Sequence, residues 1–244
     1  GDLDLVITAG SYVEFSENMM GEFQNPIDEQ RYVYIGAADF NIGTPKKVHT
    51  TDLDADGDLD VIVGGDDGVG IIEMDGFDIV SKTVLINSSN NDGASLWTGL
   101  SIGDVNNDGL PDIAVSSKWR TSSVRERINL FTNQYQGDGI SFTKTWSRDV
   151  GFAFGIELAD IDNDGYDDLV YSAIQYGQTG NYQYSPNIYI HQSGVDGPSI
   201  EPYNGWIFDG VTSSLGNIEG IETADLNNDG NLDLMVTSSF ASFF

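Results

Sequence analysis

Short apolar runs, about four to eight residues long, recur along the whole chain and are separated by clusters of glycine, asparagine and aspartate. Many of these runs alternate polar and apolar residues or are rich in β-branched residues, as in "DVIVGG" and "DIAVSS". No segment of useful length keeps the helical period. The pattern therefore predicts an all-β protein of short antiparallel strands joined by tight turns.

One acidic stretch occurs four times. "DLDADGDLDVIVGG" begins at 52, "DVNNDGLPDIAVSS" at 104, "DIDNDGYDDLVYSA" at 160 and "DLNNDGNLDLMVTS" at 225. The copies share the template D-x-[DN]-x-D-G-x-x-D followed by an apolar run, and the opening "GDLDLVITAG" matches its second half. The intervals between them are in the range of propeller blades rather than of short solenoid repeats.

Each copy predicts one blade of four antiparallel strands, named A to D here. Strand A precedes the acidic loop and strand B follows it. Third strands are predicted at "RYVYIG", "VGIIEM", "RINLFT" and "NIYIHQ", and fourth strands at "FDIVSKTVL", "ISFTKTW" and "GWIFDG". The predicted fold is a β-propeller with blades at about 47–96, 97–151 and 152–216 and partial blades at 1–46 and 217–244. We expect these partial blades to belong to a larger propeller or to be completed by another chain.

The acidic loop predicts a calcium site, because clustered carboxylates repel each other unless a cation lies among them. Side chains at loop positions 1, 3, 5 and 9 are expected to bind Ca²⁺, with a backbone carbonyl at position 7 and a sharp turn at the glycine of position 6. About four ions are expected. Asp4 is the one side-chain ligand left of a fifth, incomplete site. The predicted ligands are Asp52, Asp54, Asp56 and Asp60; Asp104, Asn106, Asp108 and Asp112; Asp160, Asp162, Asp164 and Asp168; and Asp225, Asn227, Asp229 and Asp233.

Two other interpretations of the loop compete with a calcium site. An EF-hand needs a glutamate at position 12 and flanking helices. Position 12 lies inside predicted strand B and is occupied by Val63, Val115, Tyr171 and Val236, so the EF-hand is rejected. Plain Asp-Gly hairpin turns are the simpler alternative. Four copies in register, with aspartate or asparagine at every ligand position, favour the metal site.

These units resemble the FG-GAP or VCBS repeats of integrin-α-like propellers. "FGIELAD" at 154–160 keeps the first half of that name, whereas "VSS", "YSA" and "TSS" stand where "GAP" would be. The resemblance implies a calcium loop between strands A and B of each blade. It also implies an extracellular, cell-surface or periplasmic location and a role in adhesion, in sugar binding or as an accessory domain of polysaccharide-active enzymes.

Charge and composition narrow the class of partner. Against 39 acidic residues the chain has 10 lysines and arginines, a formal charge of −29. Nucleic acid and anionic membranes repel such a surface, so neither is expected as a partner. The absence of cysteine excludes disulfides and thiolate metal sites. No apolar run reaches about 18 residues, so membrane insertion is not expected.

Antiparallel connectivity places A–B and C–D turns at one end of each blade and B–C and D–A connections at the other. The longest connections are predicted between strands B and C, at 10–30, 116–127 and 172–187, and long loops on a rigid scaffold are where ligands bind. Tyrosines and amides in the last of these suit a carbohydrate or a protein surface. The candidate ligand-binding residues are Trp119, Arg120, Tyr176, Tyr182 and Tyr184.

Three functions remain open at this point. The first is a non-catalytic binding or adhesion module. The second is a polysaccharide lyase or hydrolase, although His49 and His191 lie in predicted strands and no nucleophile elbow, phosphate loop or zinc signature is present. The third is a subunit of a fibre or surface layer that assembles through open blade edges. A single sequon at Asn87 is predicted to lie in a D–A connection.

Overall fold

The computed structural model describes residues 4–16, 18–19, 22–23, 32–36, 40–87, 95–119, 126–137, 139–150, 152–174, 187–199 and 217–239. Every element with bounds in these ranges is a β-strand, which confirms the all-β class. The chain divides into two compact units, Gly1–Trp97 and Thr98–Phe244. Among the described residues, no helix has the length and apolar character needed to cross a membrane.

The first unit contains two main antiparallel sheets. Its four-stranded sheet has its strands in chain order and corresponds to strands A to D: β6 (Pro45–Thr51), β7 (Asp60–Gly65), β8 (Gly68–Asp75) and β9 (Asp78–Asn87). The other sheet has three strands, β1 (Leu5–Ala9), β2 (Tyr12–Ser16) and β5 (Tyr32–Gly36), and is accompanied by a short hairpin of β3 (Asn18–Met19) and β4 (Glu22–Phe23).

The three-stranded sheet corrects one prediction. Residues 10–30 were expected to form a B–C connection, with "RYVYIG" as strand C. Instead, a two-residue turn leads from β1 into β2, and β2 pairs with both β1 and β5. The alternating segment "YVEFS" therefore forms strand C, with Val13 and Phe15 buried, and β5 is strand D. The long segment 17–31 is a C–D connection, at the same end of the sheet as an A–B turn.

The second unit contains three sheets that have four, three and two described strands. The first is β10 (Ser95–Gly103, beginning just before the unit boundary), β11 (Asp112–Trp119), β12 (Glu126–Asn133) and β13 (Phe142–Asp149). The second is β14 (Phe152–Ala159), β15 (Asp168–Ile174) and β16 (Asn187–His191), and the third is β17 (Asn217–Ala224) and β18 (Asp233–Ser239). The predicted fourth strand "GWIFDG" lies outside the described residues.

Neighbouring sheets of the second unit pack face to face. Successive side chains of a strand point to opposite faces, and β15 uses both faces for burial. Leu169 and Tyr171 pack into a cluster with Ile128 and Leu130 of β12. Val170 packs instead with Ile188, Ile190, Ile218 and Ile221, which joins the second sheet to the third. Because both faces of β15 are buried, its sequence is a nearly continuous apolar run.

Serine side chains add a hydrogen bond at each of these two junctions. Strands β14 and β17 are the A strands of their sheets, and each has a β-bulge, between Ala153 and Ile156 and between Ile218 and Gly220. The Ser116 hydroxyl of β11 donates to the Phe154 carbonyl oxygen. The Ser172 hydroxyl of β15 donates to the Ile218 carbonyl oxygen over 2.7 Å. Each bulge carbonyl is thus satisfied by strand B of the preceding sheet.

Glycine is required beside the first bulge because the next sheet approaches closely there. A Cβ atom on Gly155 would lie 2.9 Å from Cγ1 of Ile221. Phe154 and Gly155 therefore have distinct roles: the phenylalanine supplies the carbonyl that Ser116 binds, and the glycine leaves room for β17.

We predict that Ser116→Ala and Ser172→Ala each lower the free energy of unfolding by about 1–3 kcal/mol, because each removes the serine's hydrogen bond to a carbonyl at a buried junction. Urea denaturation measures this. Ser141→Ala is the matched control, since Ser141 is exposed, and should change stability by less than about 0.5 kcal/mol. Losses equal to that of the control would show that the two hydroxyls do not hold the junctions together.

Candidate metal centres

All four acidic loops occupy the same place in the fold. We number them loop 1 (52–60), loop 2 (104–112), loop 3 (160–168) and loop 4 (225–233). Each connects strand A to strand B of one sheet, and its ninth residue is the first residue of strand B. All sixteen residues predicted as calcium ligands lie in these four turns.

The four loops share one backbone conformation. Position 6 is glycine with φ of 100°, 84°, 92° and 88° in loops 1 to 4. Position 4 also has a positive φ, between 54° and 60°, and is alanine in loop 1 and asparagine in the others. Asparagine tolerates this left-handed region better than most residues, which explains its recurrence. Sequence analysis overlooked position 4, although three asparagines in register were the available signal.

Backbone N–H groups orient the carboxylate at position 1. One oxygen accepts the N–H of position 5 and the other accepts the N–H of position 6. The two distances are 3.2 and 3.0 Å at Asp52, 3.1 and 2.8 Å at Asp104, 2.9 and 2.9 Å at Asp160, and 3.0 and 2.8 Å at Asp225. This repeated arrangement wraps the loop around its first side chain.

The carboxylate at position 9 joins the loop to the sheet. At Asp60, one oxygen accepts the N–H of Leu53 at 2.8 Å and the other that of Met74 in β8 at 3.0 Å. Asp112 bonds in the same way to the N–H groups of Val105 and Asn133. In loop 3 Asp168 bonds to Ile161 and Ser193, and in loop 4 Asp233 accepts the N–H of Leu226. In loops 1 to 3 this side chain therefore fixes strand C, or the residues just after it, to the A–B turn.

In loops 1 to 3, an apolar side chain at position 2 packs against the core beneath the loop. Leu53 and Val105 have no exposed surface, and Ile161 packs against the cluster around Val170. Leu226, the corresponding residue of loop 4, is 64% exposed. Sequence analysis did not single out this position, although an aliphatic residue occurs there in all four copies.

Burial at position 9 favours the uncharged acid. Desolvation raises the pKa of Asp60 to about 6, that of Asp112 to about 7 and that of Asp168 to about 6, and the backbone donors offset only part of the effect. At position 1 of loop 4 the pKa shift has the opposite direction from that at position 9. The N–H of Gly230 donates to the Asp225 carboxylate and is the main cause of its lowered pKa. A cation at the loop would favour the charged form of every one of these carboxylates.

The donor set fits a hard cation. Oxygen atoms of Asp52, Asp54 and Asp60 lie within 4.8 Å of one another, and the same holds for Asp160, Asp162 and Asp164. The predicted side-chain ligands are carboxylates and asparagine amides, and oxygen donors of this kind suit Ca²⁺ rather than zinc or copper. The loops thus have the chemistry for calcium. Asp4, the predicted remnant of a fifth site, is exposed and directly precedes β1.

Of the five predicted ligand-binding residues, only Trp119 lies within the described part of the chain. Trp119 is the last residue of β11, whereas Arg120, Tyr176, Tyr182 and Tyr184 lie outside the described residues. The connections that contain them are 120–125 and 175–186.

The sequon is placed differently from its prediction. Asn87 is the last residue of β9 rather than part of a connection, and it is 6% exposed. Its amide nitrogen donates to the carbonyl oxygen of Asn41 at 3.2 Å. In the folded chain this side chain is not available as a glycan acceptor.

Comparison with protein families identifies the repeat. An FG-GAP-like repeat matches residues 52–115, and an FG-GAP repeat matches residues 96–139. The two matches together cover residues 52–139. The matched residues include loops 1 and 2, strand β7 after loop 1, and strands β10 and β11 on either side of loop 2. FG-GAP repeats form β-propellers, and the antiparallel sheets of each unit are of the kind that make propeller blades.

Among solved structures, this chain is similar to a rhamnogalacturonan lyase of Bacillus licheniformis. The TM-score is 0.50 at 13% identity, and the match covers 93% of this chain and 40% of the lyase. This likeness shows the fold alone, and the chain spans well under half the length of that protein. No curated protein matches the chain.

We predict that Ala55→Asn raises the free energy of unfolding by about 1 kcal/mol, because asparagine is less strained than alanine at positive φ. The reverse change, Asn228→Ala in loop 4, should lower it by a similar amount. Denaturant unfolding in the presence of calcium measures both. Effects of the same sign in the two variants would contradict the role assigned to position 4.

The raised pKa values at position 9 predict an inverted pH response without calcium. A raised pKa means that folding favours the protonated acid, so this contribution to stability is fully present below about pH 4 and is lost as the pH rises through about 6 to 7. Calcium competes with these protons, and its stabilising effect should therefore grow over the same interval.

Thermal melts of metal-free protein at about pH 5 and pH 7.5, each with and without about 1 mM calcium, test this prediction. We expect the metal-free melting temperature to be higher at pH 5 and the calcium-induced increase to be larger at pH 7.5. A calcium effect that is equal at the two pH values would contradict it.

Proposed function

We propose that this chain is a calcium-stabilised, non-catalytic binding module that acts outside the cytosol. The observation that carries the proposal is the fourfold repetition of one loop structure, in which backbone donors gather side-chain oxygens at the A–B turn of each sheet. FG-GAP repeats are consistent with a binding or adhesion role. The calcium ions are structural in this proposal, and the ligand binds elsewhere.

The charge of the chain supports an environment rich in calcium. A formal charge of −29 opposes folding through self-repulsion, and cations in the four loops would reduce it. Extracellular modules bind calcium with Kd values of about 10⁻⁴–10⁻³ M, which millimolar calcium saturates and cytosolic calcium does not. We therefore place the protein at the cell surface, in the extracellular space or in the periplasm.

The ligand is proposed to bind at the end of the sheets opposite the acidic loops. In the second unit, β11–β12 and β15–β16 are antiparallel pairs whose connections, 120–125 and 175–186, emerge at that opposite end. The second connection and its flanks combine Tyr176, Tyr182 and Tyr184 with amide side chains, and such residues stack on sugar rings and bond to hydroxyl groups. Trp119, at the end of β11, and Arg120, in the first connection, are proposed to belong to the same site. A carbohydrate is the proposed ligand, and a protein surface is the alternative.

A second candidate function is the propeller of a polysaccharide lyase or hydrolase. It is favoured by the fold similarity to the rhamnogalacturonan lyase over 93% of this chain. His191 does not offer a base for such a reaction, because it is fully buried. Its ring nitrogens lie 3.2 Å from the Tyr171 hydroxyl and 2.8 Å from the Ser199 carbonyl oxygen. We therefore rank this candidate second.

A glycan array probed with the calcium-loaded protein tests the binding proposal. We expect binding to a defined set of glycans and a loss of about tenfold or more in the Tyr176→Ala, Tyr182→Ala, Tyr184→Ala triple variant, because each stacking ring contributes about 1 kcal/mol or more. Tyr12→Ala, which removes a partly exposed tyrosine of β2, is the matched control and should bind normally.

Two results would overturn parts of this proposal. Unchanged binding in the triple variant, with an unchanged melting temperature, would remove the 175–186 connection from the site. A rise in ultraviolet absorbance when the protein is incubated with uronic-acid polysaccharides, which reports an unsaturated lyase product, would favour the enzyme instead.

A further inference from the structure

The acidic loops of neighbouring sheets contact each other through a two-point hydrogen bond at one junction of the second unit. Asp167 is position 8 of loop 3, and Asp104 is position 1 of loop 2. The Asp167 N–H donates to the Asp104 carbonyl oxygen at 3.0 Å. In return, a carboxylate oxygen of Asp167 accepts the Asp104 N–H at 2.7 Å. The peptide groups on both sides of Asp104 are thereby held by loop 3.

The residues on both sides of this contact differ from their counterparts in the other copies. Position 8 is Leu59 in loop 1, Pro111 in loop 2 and Leu232 in loop 4, none of which offers a carboxylate. The residue before position 1 is Gly103 in loop 2, whereas the other copies have Thr51, Ala159 and Ala224. A Cβ atom on Gly103 would clash with a carboxylate oxygen of Asp167 and would lie only 2.7 Å from the Leu158 Cβ. The acid of one loop and the glycine of the other thus form a matched pair.

Both residues of this contact are linked to candidate calcium ligands. Asp104 is itself a candidate ligand, and Asp167 is the neighbour of another in the sequence. The side chain of Asp104 accepts the N–H groups of Asp108 and Gly109, so the backbone of Asp104 positions the whole of loop 2. Asp167 directly precedes Asp168, whose side chain fixes the start of β15 to Ile161 and Ser193. An ion that orders either loop therefore also orders a residue that holds the other.

We propose that Asp167 couples calcium binding at loops 2 and 3, so that an ion at either loop tightens binding at the other. This inference rests on the proposed calcium binding. Ordering a loop lowers its conformational entropy. Because the two loops share a contact, the first ion also orders part of the second loop, so less entropy is lost when the second ion binds. The coupling is positive and acts in both directions.

Loops 3 and 4 provide an internal comparison. Their described side-chain hydrogen bond joins the Asn163 and Asn231 amides at 3.4 Å, and both residues are exposed. Position 8 of loop 4 is Leu232, and Ala159 precedes position 1 of loop 3. A long hydrogen bond between exposed amides transmits little ordering, so we expect much weaker coupling between these two loops.

The glycine at position 6 of each loop gives a separate reporter for each site. Its N–H donates to the position 1 carboxylate in all four loops, so its amide resonance should move when an ion binds there. Calcium titrations followed by two-dimensional ¹H–¹⁵N NMR therefore yield one midpoint each for Gly57, Gly109, Gly165 and Gly230. Asp164→Ala disables loop 3 by removing its position 5 ligand.

We expect Asp164→Ala to raise the calcium midpoint at Gly109 by about fivefold, the lower end of ordinary coupling strengths, and the midpoint at Gly230 by less than about twofold. In an Asp167→Leu background, which has the residue found in loops 1 and 4, the Gly109 midpoint should no longer respond to Asp164→Ala. Asp167→Ala is a second variant without the acceptor and should behave in the same way. Asp167→Asn keeps an acceptor oxygen and should preserve the response.

Three outcomes would contradict the coupling. A Gly109 midpoint that ignores Asp164→Ala in the otherwise unchanged protein would show that the two sites are independent. An equal response in Asp167→Leu or Asp167→Ala would show that the coupling does not pass through Asp167. In both cases the glycine resonances of the intact loops still move, so calcium binding itself stands. Resonances that do not move at all would overturn the calcium proposal together with the coupling.

Discussion

The structure depends on how each A–B turn accommodates its clustered carboxylates. Three or four of them converge in a nine-residue loop, and in loops 1 to 3 the last is buried at the start of strand B. Backbone N–H groups orient these carboxylates, but neutral donors only partly offset the repulsion and desolvation, as the raised pKa of Asp112 shows. A divalent ion among the oxygens would supply the missing charge. Its position would join strands A and B, and through position 9 strand C, into one unit.

The same loops lie beside the contacts that hold neighbouring sheets together in the second unit. Ser116 of β11 and Ser172 of β15 each donate to the bulged strand A of the next sheet, and Asp167 joins loop 3 to loop 2. Ordering an acidic loop therefore also fixes the start of the strand that carries the serine. A rigid set of sheets leaves the opposite connections free to vary in sequence, which is the arrangement expected of a scaffold that presents binding loops.

Much of this architecture could be predicted from the sequence, because the loop template and the apolar runs each have a local physical cause. The A–B turns and strands β6 to β18 follow the repeat. Strand β2 was missed because its five residues lie in a polar segment with no acidic loop of its own, and only its pairing with β1 and β5 reveals it. The Asp167–Asp104 contact and the burial of Asn87 arise from packing between distant segments, which local patterns do not encode.

Anomalous X-ray diffraction from crystals grown with calcium tests the central claim most directly. The account predicts one anomalous peak in each of the four acidic loops, with oxygens of positions 1, 3, 5 and 9 at about 2.3–2.6 Å from the ion. Loops that show water molecules and no anomalous signal in millimolar calcium would contradict it. The carboxylates would then be held by their backbone donors alone.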